Sequence, residues 1–483
     1  MASHGLSGGI YKPLSPADID TLHDASLRIL ETTGITYESG LDETLDRLAR
    51  AGATVDRAAS RIRLPREMVG DLAAKAPSQV ILYGREGHPD LDLREDKVHL
   101  GTGGAAVKIL DLESGEPRPT TLKDLYDLGR LVDHLKHIHF FLRPCIPTDI
   151  LETQYDVNMF YACLKATGKH VMSGVNDVAG LQQIIELAAL LAGGKDELTA
   201  RPFISVITSF AISPLKLCTQ STLIMQACCR QGVPVVLSAA PMSGSTSPMT
   251  MAGTLAQLHA EQLAGIAICQ AARRGAPLLY GGIPGMANMA SMGYLGGGVE
   301  CGMMNAAIHQ LAAHIGVPNY NSAGLSDAKL PDAQAGWEKA VTILLAAMGG
   351  SNYMHHSAGM LESMLSVAPE QFVMDDEIIG MAAKVLQGIT VDAEHLALEV
   401  IDSVGPGGNF MMADHTLAHM RREYFQGNGV TDRQIRGQWE AAGKQDARTR
   451  ARAIAREILA REERSYIPAD IDAQIRERFN ILM

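Results

Sequence analysis

Eight short apolar runs alternating with helical segments predict a (β/α)8 barrel. The runs occupy residues 98–100, 139–142, 170–173, 203–208, 234–238, 277–280, 318–321 and 352–356. From the second onward their starts lie 31, 33, 31, 43, 41 and 34 residues apart. That is room for one strand and one helix per unit, and eight such units call for a parallel sheet closed on itself. A doubly wound open sheet is the alternative topology. The periodic part spans 91–377, with a helical layer before it (1–90) and a helical extension after it (378–483).

The first layer begins at Ser15-Pro16-Ala17-Asp18, where a cap residue, a proline at the first helical position and an acid in the first turn predict a helix start. Segments 41–52 and 65–76 predict two more helices. Within the barrel, 277–280 is a short apolar run that suits a strand buried on both faces. Gly281 and Gly282 end it, and the loop that follows mixes methionines, amides and hydroxyls before Gly296, Gly297 and Gly298 lead into a helix over 299–315. After the last strand, helices are predicted over 378–388, 393–404, 413–425 and 431–459.

Composition narrows the function. The chain has 483 residues, 46% hydrophobic and 20% charged, which describes a globular protein with a large core. A net charge of −12 argues against a nucleic-acid surface, which needs clustered Lys and Arg. The first twenty residues lack the basic and apolar regions of a signal peptide, and no window is apolar for the eighteen or more residues of a membrane span. A cytoplasmic location is expected, with no membrane contact. Seven cysteines, an odd number without CxxC spacing, read as reduced core thiols. GxGxxG, GxxxxGK[ST] and GxSxG are all absent. No acid or cysteine completes a set with His134, His137 and His139, and His415 and His419 lack the glutamate of HExxH, so the sequence assigns no metal.

In a barrel, chemistry sits at the C-terminal ends of the strands. Those positions carry Arg143, Ser173, Ser209, Ser238, Tyr280, Asn321, Ser322, Asp327, His355 and His356. The set holds many neutral donors and few charges, which suits a small polar or charged solute in a mostly apolar cup. His355 and His356 are the reactive-looking pair. Neighbours on a strand point to opposite faces, so one of them at most is expected in the pocket. The loop 319–336 presents Asp327, Lys329, Asp332 and Gln334, a mixed-charge segment above the barrel mouth. Its structural alternative is that Asp332 caps the next helix.

Four stretches together resemble the trimethylamine methyltransferase family of corrinoid-dependent enzymes. They are ILETTGITYES with LARAGATVD, RIRLPREMV and APSQVILYGRE; GTGGAAVKILDLESGEPRPTTLKDL; GGIPGMANMASMGYLGGGVE; and SAGLSDAKLPDAQAG. The family includes members with pyrrolysine in the barrel and members without it. This sequence shows no such residue, and the position falls in the loop 327–334. Pyrrolysine-lacking relatives act on quaternary amines such as glycine betaine, so the resemblance implies methyl transfer from such an amine, or from another betaine or a sulfonium, to the Co(I) of cobalamin.

On that reading His355, His356 and Asp327 are the candidate catalytic residues. Tyr280, Tyr294, Arg143, Asn321 and Tyr353 are the candidate substrate residues, the rings facing the cation and Arg143 the carboxylate. Gly296, Gly297, Gly298, Lys329 and Gln334 would border the corrinoid, carried by a separate corrinoid protein. Homo-oligomerisation is left open. A solute sensor without catalysis and a metal-dependent hydrolase are the readings from other classes.

Overall fold

The structure is a computed structural model that describes residues 6–483. Its centre is an eight-stranded parallel sheet: β1 (His99–Thr102), β2 (Phe141–Leu142), β3 (Val171–Ser173), β4 (Ile204–Thr208), β5 (Val235–Leu237), β6 (Leu278–Gly282), β7 (Asn319–Ser322) and β8 (Tyr353–Ala358). Each of the eight predicted runs overlaps one strand. The strands pair in the order β1-β8-β7-β6-β5-β4-β3-β2, and a parallel bridge from Gly101 to Phe140 joins the two ends. The sheet is therefore closed, as the repeat spacing predicts.

Alternation along the strands decides what faces inward. Phe140, Leu142, Met172, Val236, Leu279, Tyr320 and Tyr353 form one interior cluster, while their neighbours face the surrounding helices. Phe140 and Tyr353 stack with ring centroids 3.7 Å apart and make a floor across the barrel. Beneath them an antiparallel hairpin, Val80–Leu82 with Leu91–Leu93, inserts four buried aliphatic side chains into the same cluster and stoppers the N-terminal end. A continuous apolar run, VILY, and the alternating DLDL mark that hairpin.

Four surrounding helices matter below: α1 (Met251–Ala272), α2 (Val299–His314), α3 (Ala333–Gly349) and α4 (Pro369–Gln387). Asp332 accepts from the Ala335 amide and caps α3. Lys339 of α3 and Asp375 of α4 form an ion pair at 3.0 Å that is wholly buried. Lys339 also donates to the Gly324 carbonyl at 2.6 Å and Asp375 accepts from the Gly359 amide at 2.7 Å, so the pair ties together the loops that leave β7 and β8.

The N-terminal layer contains the three expected helices, Pro16–Arg28 with its Ser15–Asp18 capping box, Asp42–Arg50 and Arg66–Ala73. It also contains strands Ile35–Tyr37, Thr54–Asp56 and Arg61–Arg63, which join Ala211–Ile212 and Lys216–Leu217 in a five-stranded sheet. Three-residue strands completed by a distant hairpin leave little periodicity to read. The extension is more broken than predicted. Ala397, at φ 51°, separates Ala393–Leu396 from Leu398–Val404, and Gly443 and Lys444 at positive φ separate Arg436–Ala441 from Ala447–Leu459. No described helix is long and apolar enough to cross a membrane, and all seven cysteines are free.

Candidate functional site

Above the Phe140–Tyr353 floor the barrel opens at the strand C-termini into a cavity of about 420 Å3, to which every strand or the loop after it contributes. Hydroxyls of Thr208, Ser209, Ser221 and Ser238 line one side, and its charged and ring-bearing polar side chains fall into two groups. On the β7 and β8 side stand Tyr320, His355 and His356, and on β2 stands Arg143. Between them β1 is followed by Gly103 and Gly104. A Cβ on Gly103 would lie 2.9 Å from the His355 Nδ1, so the missing side chain leaves the ring its place.

Both histidines line the cavity, against the expectation of one. His356 has φ 62°, and the β8–β1 register shifts between Met354 and Ala358. This bulge turns the His356 ring back to the side of His355, with centroids 3.7 Å apart. His356 Nδ1 lies 2.8 Å from the Ser322 hydroxyl, while both ring nitrogens of His355 are buried without a partner. Burial holds the His355 pKa well below the ordinary imidazole value and pushes that of His356 down to about 3. Both rings are therefore neutral at neutral pH. Tyr320 packs beside His355 at 4.7 Å between centroids, and its hydroxyl lies 2.9 Å from that of Ser238.

Arg143 is the cavity's cation. Its one hydrogen-bond contact from the guanidinium is NH1 to the Met159 sulfur at 3.6 Å, and its Nε has no partner. Among the described residues no carboxylate stands within ion-pair distance of it. Burial lowers its pKa, with the nearest acids too far away to offset the loss of water. A guanidinium partly withdrawn from water with no acid beside it is costly.

Ser209 and Ser238 also line the cavity, and the other candidate substrate and cofactor residues lie outside it. Tyr280 faces away from the barrel interior, because Leu279 takes the inward position, and its hydroxyl lies 2.7 Å from His259 Nδ1 on α1. Asn321 also points outward, donating to the Asn305 carbonyl on α2 at 2.9 Å. Tyr353 is inside but below, in the floor. Tyr294 stands behind the wall, its hydroxyl donating to the Ile283 carbonyl at 3.3 Å.

The glycine run and the loop 327–334 brace each other. The Asp327 carboxylate accepts from the Gly296 and Gly297 amides at 3.1 and 3.3 Å and from Ser363. Glu338 of α3 accepts in turn from the Asp327 amide, Ser326 and Gln334 at 2.7–2.9 Å. A Cβ on Gly297 would meet the Glu338 carboxylate at 2.5 Å. The close approach that these glycines permit is thus to the neighbouring loop, and Gly296 and Gly297 are buried rather than open to a docking partner. Gly298 caps α2 and Lys329 is exposed, donating to the Asp327 carbonyl. Asp327 positions the rim and does not reach into the cavity. The Lys339–Asp375 pair has no distinct signature in the sequence, because Lys339 follows Glu338 and Asp375 opens the acidic run Asp375-Asp376-Glu377.

Against known proteins, residues 6–480 match the profile of the family described as Trimethylamine methyltransferase (MTTB). The chain belongs to that family. It is a methyltransferase, and its relatives share its length as well as its sequence. It is 35% identical over 472 residues to the trimethylamine methyltransferase of Desulfitobacterium hafniense, covering 98% of this chain and 93% of that one. It is 32% identical over 467 residues to a glycine betaine methyltransferase of the same species, covering 96% and 95%. Among solved structures, the monomethylamine methyltransferase of Methanosarcina barkeri superposes with a TM-score of 0.50 at 11% identity, covering 95% of both chains, which shows a shared fold.

Proposed function

We propose that this methyltransferase takes a methyl group from a quaternary amine that also carries a carboxylate, with glycine betaine the first candidate, and hands it to the Co(I) of a corrinoid, leaving dimethylglycine. The observation that carries this reading is Arg143, half-buried and without an acid partner in the same cavity as three neutral rings. A guanidinium binds a carboxylate in bidentate fashion. The opposite wall offers a trimethylammonium the face of Tyr320, a contact worth ~0.5–2 kcal/mol once water is excluded. Neutral His355 and His356 do not repel it.

The residues present suit this chemistry and no proton donor is required. A quaternary nitrogen departs as a neutral tertiary amine, so imidazoles that burial keeps unprotonated are no handicap. The chain's own contribution is to anchor the carboxylate at Arg143, hold the C–N bond along the cavity axis and keep water out. The corrinoid, when docked, supplies the nucleophile that accepts the methyl group.

The acceptor arrives on a separate corrinoid protein in this reading. Six of the eight loops around the mouth expose a large apolar side chain: Leu151, Ile212, Met249, Met289, Leu330 and Leu365, each at least 44% exposed. Apolar side chains exposed on loops at the strand C-termini suit a protein partner. Incubating the chain with glycine betaine and cob(I)alamin, free or bound to a corrinoid protein, tests the reading. Methylcobalamin and dimethylglycine in equal amounts are expected. No methylated corrinoid from any quaternary amine would overturn it, and stoichiometric cobalt in the chain purified alone would overturn the separate carrier.

A further inference from the structure

Beyond the end of α4, residues 389–435 form an arm built unlike the rest of the chain. Its helices Ala393–Leu396, Leu398–Val404 and Asp414–His419 bury no residue. Helices of four to seven residues do not persist in water on propensity alone. The arm is fastened at its far end, where Val430 joins the core and Asn428 bonds to α4, but no core holds the stretch 389–424, so its order needs another source.

The arm's polar side chains converge where two of those helices meet the turn that follows. Among the described residues, His395, His419 and Glu423 are the one group of three His, Cys, Asp or Glu side chains whose ligand atoms all lie within 4.8 Å of one another. His395 Nδ1 lies 2.7 Å from the Asp392 carboxylate, and its Nε2 lies 3.9 Å from Glu423. That is the arrangement of a metal-binding histidine, in which one ring nitrogen donates to a carboxylate and the other is turned to the ion. His419 Nε2 is 3.3 Å from Glu394, whose carboxylate stands beside the group as a fourth donor.

We propose that His395, His419 and Glu423 bind a divalent transition ion of the zinc class, oriented by Asp392 and completed by Glu394 or water, and that this ion orders the arm. Two imidazoles and one or two carboxylates are donors of that class. Tetrahedral bonds of about 2.0–2.2 Å space ligand atoms about 3.3 Å apart, so the three groups need to close by roughly an ångström, through rotation of the exposed Glu423 and small shifts of the two partly buried imidazoles. The bridge joins positions 395, 419 and 423 and closes the chain between them into one loop. It stands apart from the barrel mouth and takes no part in methyl transfer.

The full chain, prepared without a histidine tag and stripped with a chelator, is titrated with Zn2+ by calorimetry and with Co2+ by absorption, and its arm is probed by limited proteolysis. One equivalent of Zn2+ per chain, tetrahedral Co2+ bands and zinc-dependent protection of 389–424 are expected. His419→Ala and Glu423→Gln should each weaken binding at least tenfold and remove the protection, and Asp392→Asn should weaken it by about 10–100-fold. None of these side chains touches the barrel core, so methyl-transfer activity and circular dichroism report that the variants fold. Absence of saturable one-to-one binding, or binding and protection unchanged in the three variants, would overturn the site.

Discussion

Histidines occur in both the barrel and the arm, and the two sets are held by opposite means. His99, His170, His259, His355 and His356 are buried and His139 is half-buried, and loss of water lowers the pKa of each: to about 4 for His99, to about 3 for His139, His170 and His356, and well below normal for the others. His395 instead stands at the surface, and the Asp392 carboxylate raises its pKa. In the barrel, topology fixes the side chain and the environment then neutralises it. In the arm, charge fixes the side chain.

The first way to break this comparison is acid. A histidine whose folded pKa is depressed leaves the unfolded chain binding more protons below pH 6.5, so stability falls as pH drops from there and levels off near the folded values of about 3–4. Each such group contributes roughly 1.4 kcal/mol per pH unit in that window. Denaturant melts from pH 7 to 4 should show a multi-proton loss of stability. His395 has the opposite sign: its contribution is complete below the unfolded pKa and is lost as pH rises through the folded one.

The second is the Lys339–Asp375 pair, where burial lowers the lysine pKa and raises that of the aspartate. Lys339→Met leaves an unpaired carboxylate in the interior and should cost about 3–5 kcal/mol, while pairing it with Asp375→Leu should recover much of the loss. Chemical denaturation of the single and double variants measures both. A smaller effect is expected at Tyr280→Phe, which removes the hydroxyl contact to His259 and should cost about 1 kcal/mol with betaine affinity unchanged. A loss of affinity there would return Tyr280 to the cavity. Met412→Ser, at a side chain 87% exposed on the arm, should change barrel stability by less than about 0.5 kcal/mol.

How much of this was legible in the sequence follows from the same contrast. The eight strands are legible because a strand buried on both faces must be apolar throughout, and their even spacing implies closure. Arg143, His355 and His356 are legible as polar residues at strand ends. Which strand-end residue faces in is not, because a shift of one position reverses every side chain. Leu279 and Tyr320 take the inward positions, which turns Tyr280 and Asn321 outward. The bulge at His356 defeats simple alternation in the other direction, bringing in a residue that parity would exclude. The loop 327–334 reads correctly as a rim element, but its partner, Glu338, lies on the next helix and has no local signature. The arm offers little periodicity because it has no core to face.

The account rests most heavily on Arg143 as the carboxylate anchor. Calorimetric binding of glycine betaine and of choline, which has the same cation and no carboxylate, to the intact chain and to Arg143→Met tests it directly. A charged hydrogen-bonded contact of about 1.5–3 kcal/mol predicts that the intact chain prefers glycine betaine by roughly 10–150-fold, and that Arg143→Met loses this preference while choline binding holds. Equal affinity of the intact chain for the two ligands, or an unchanged preference in the variant, would contradict it.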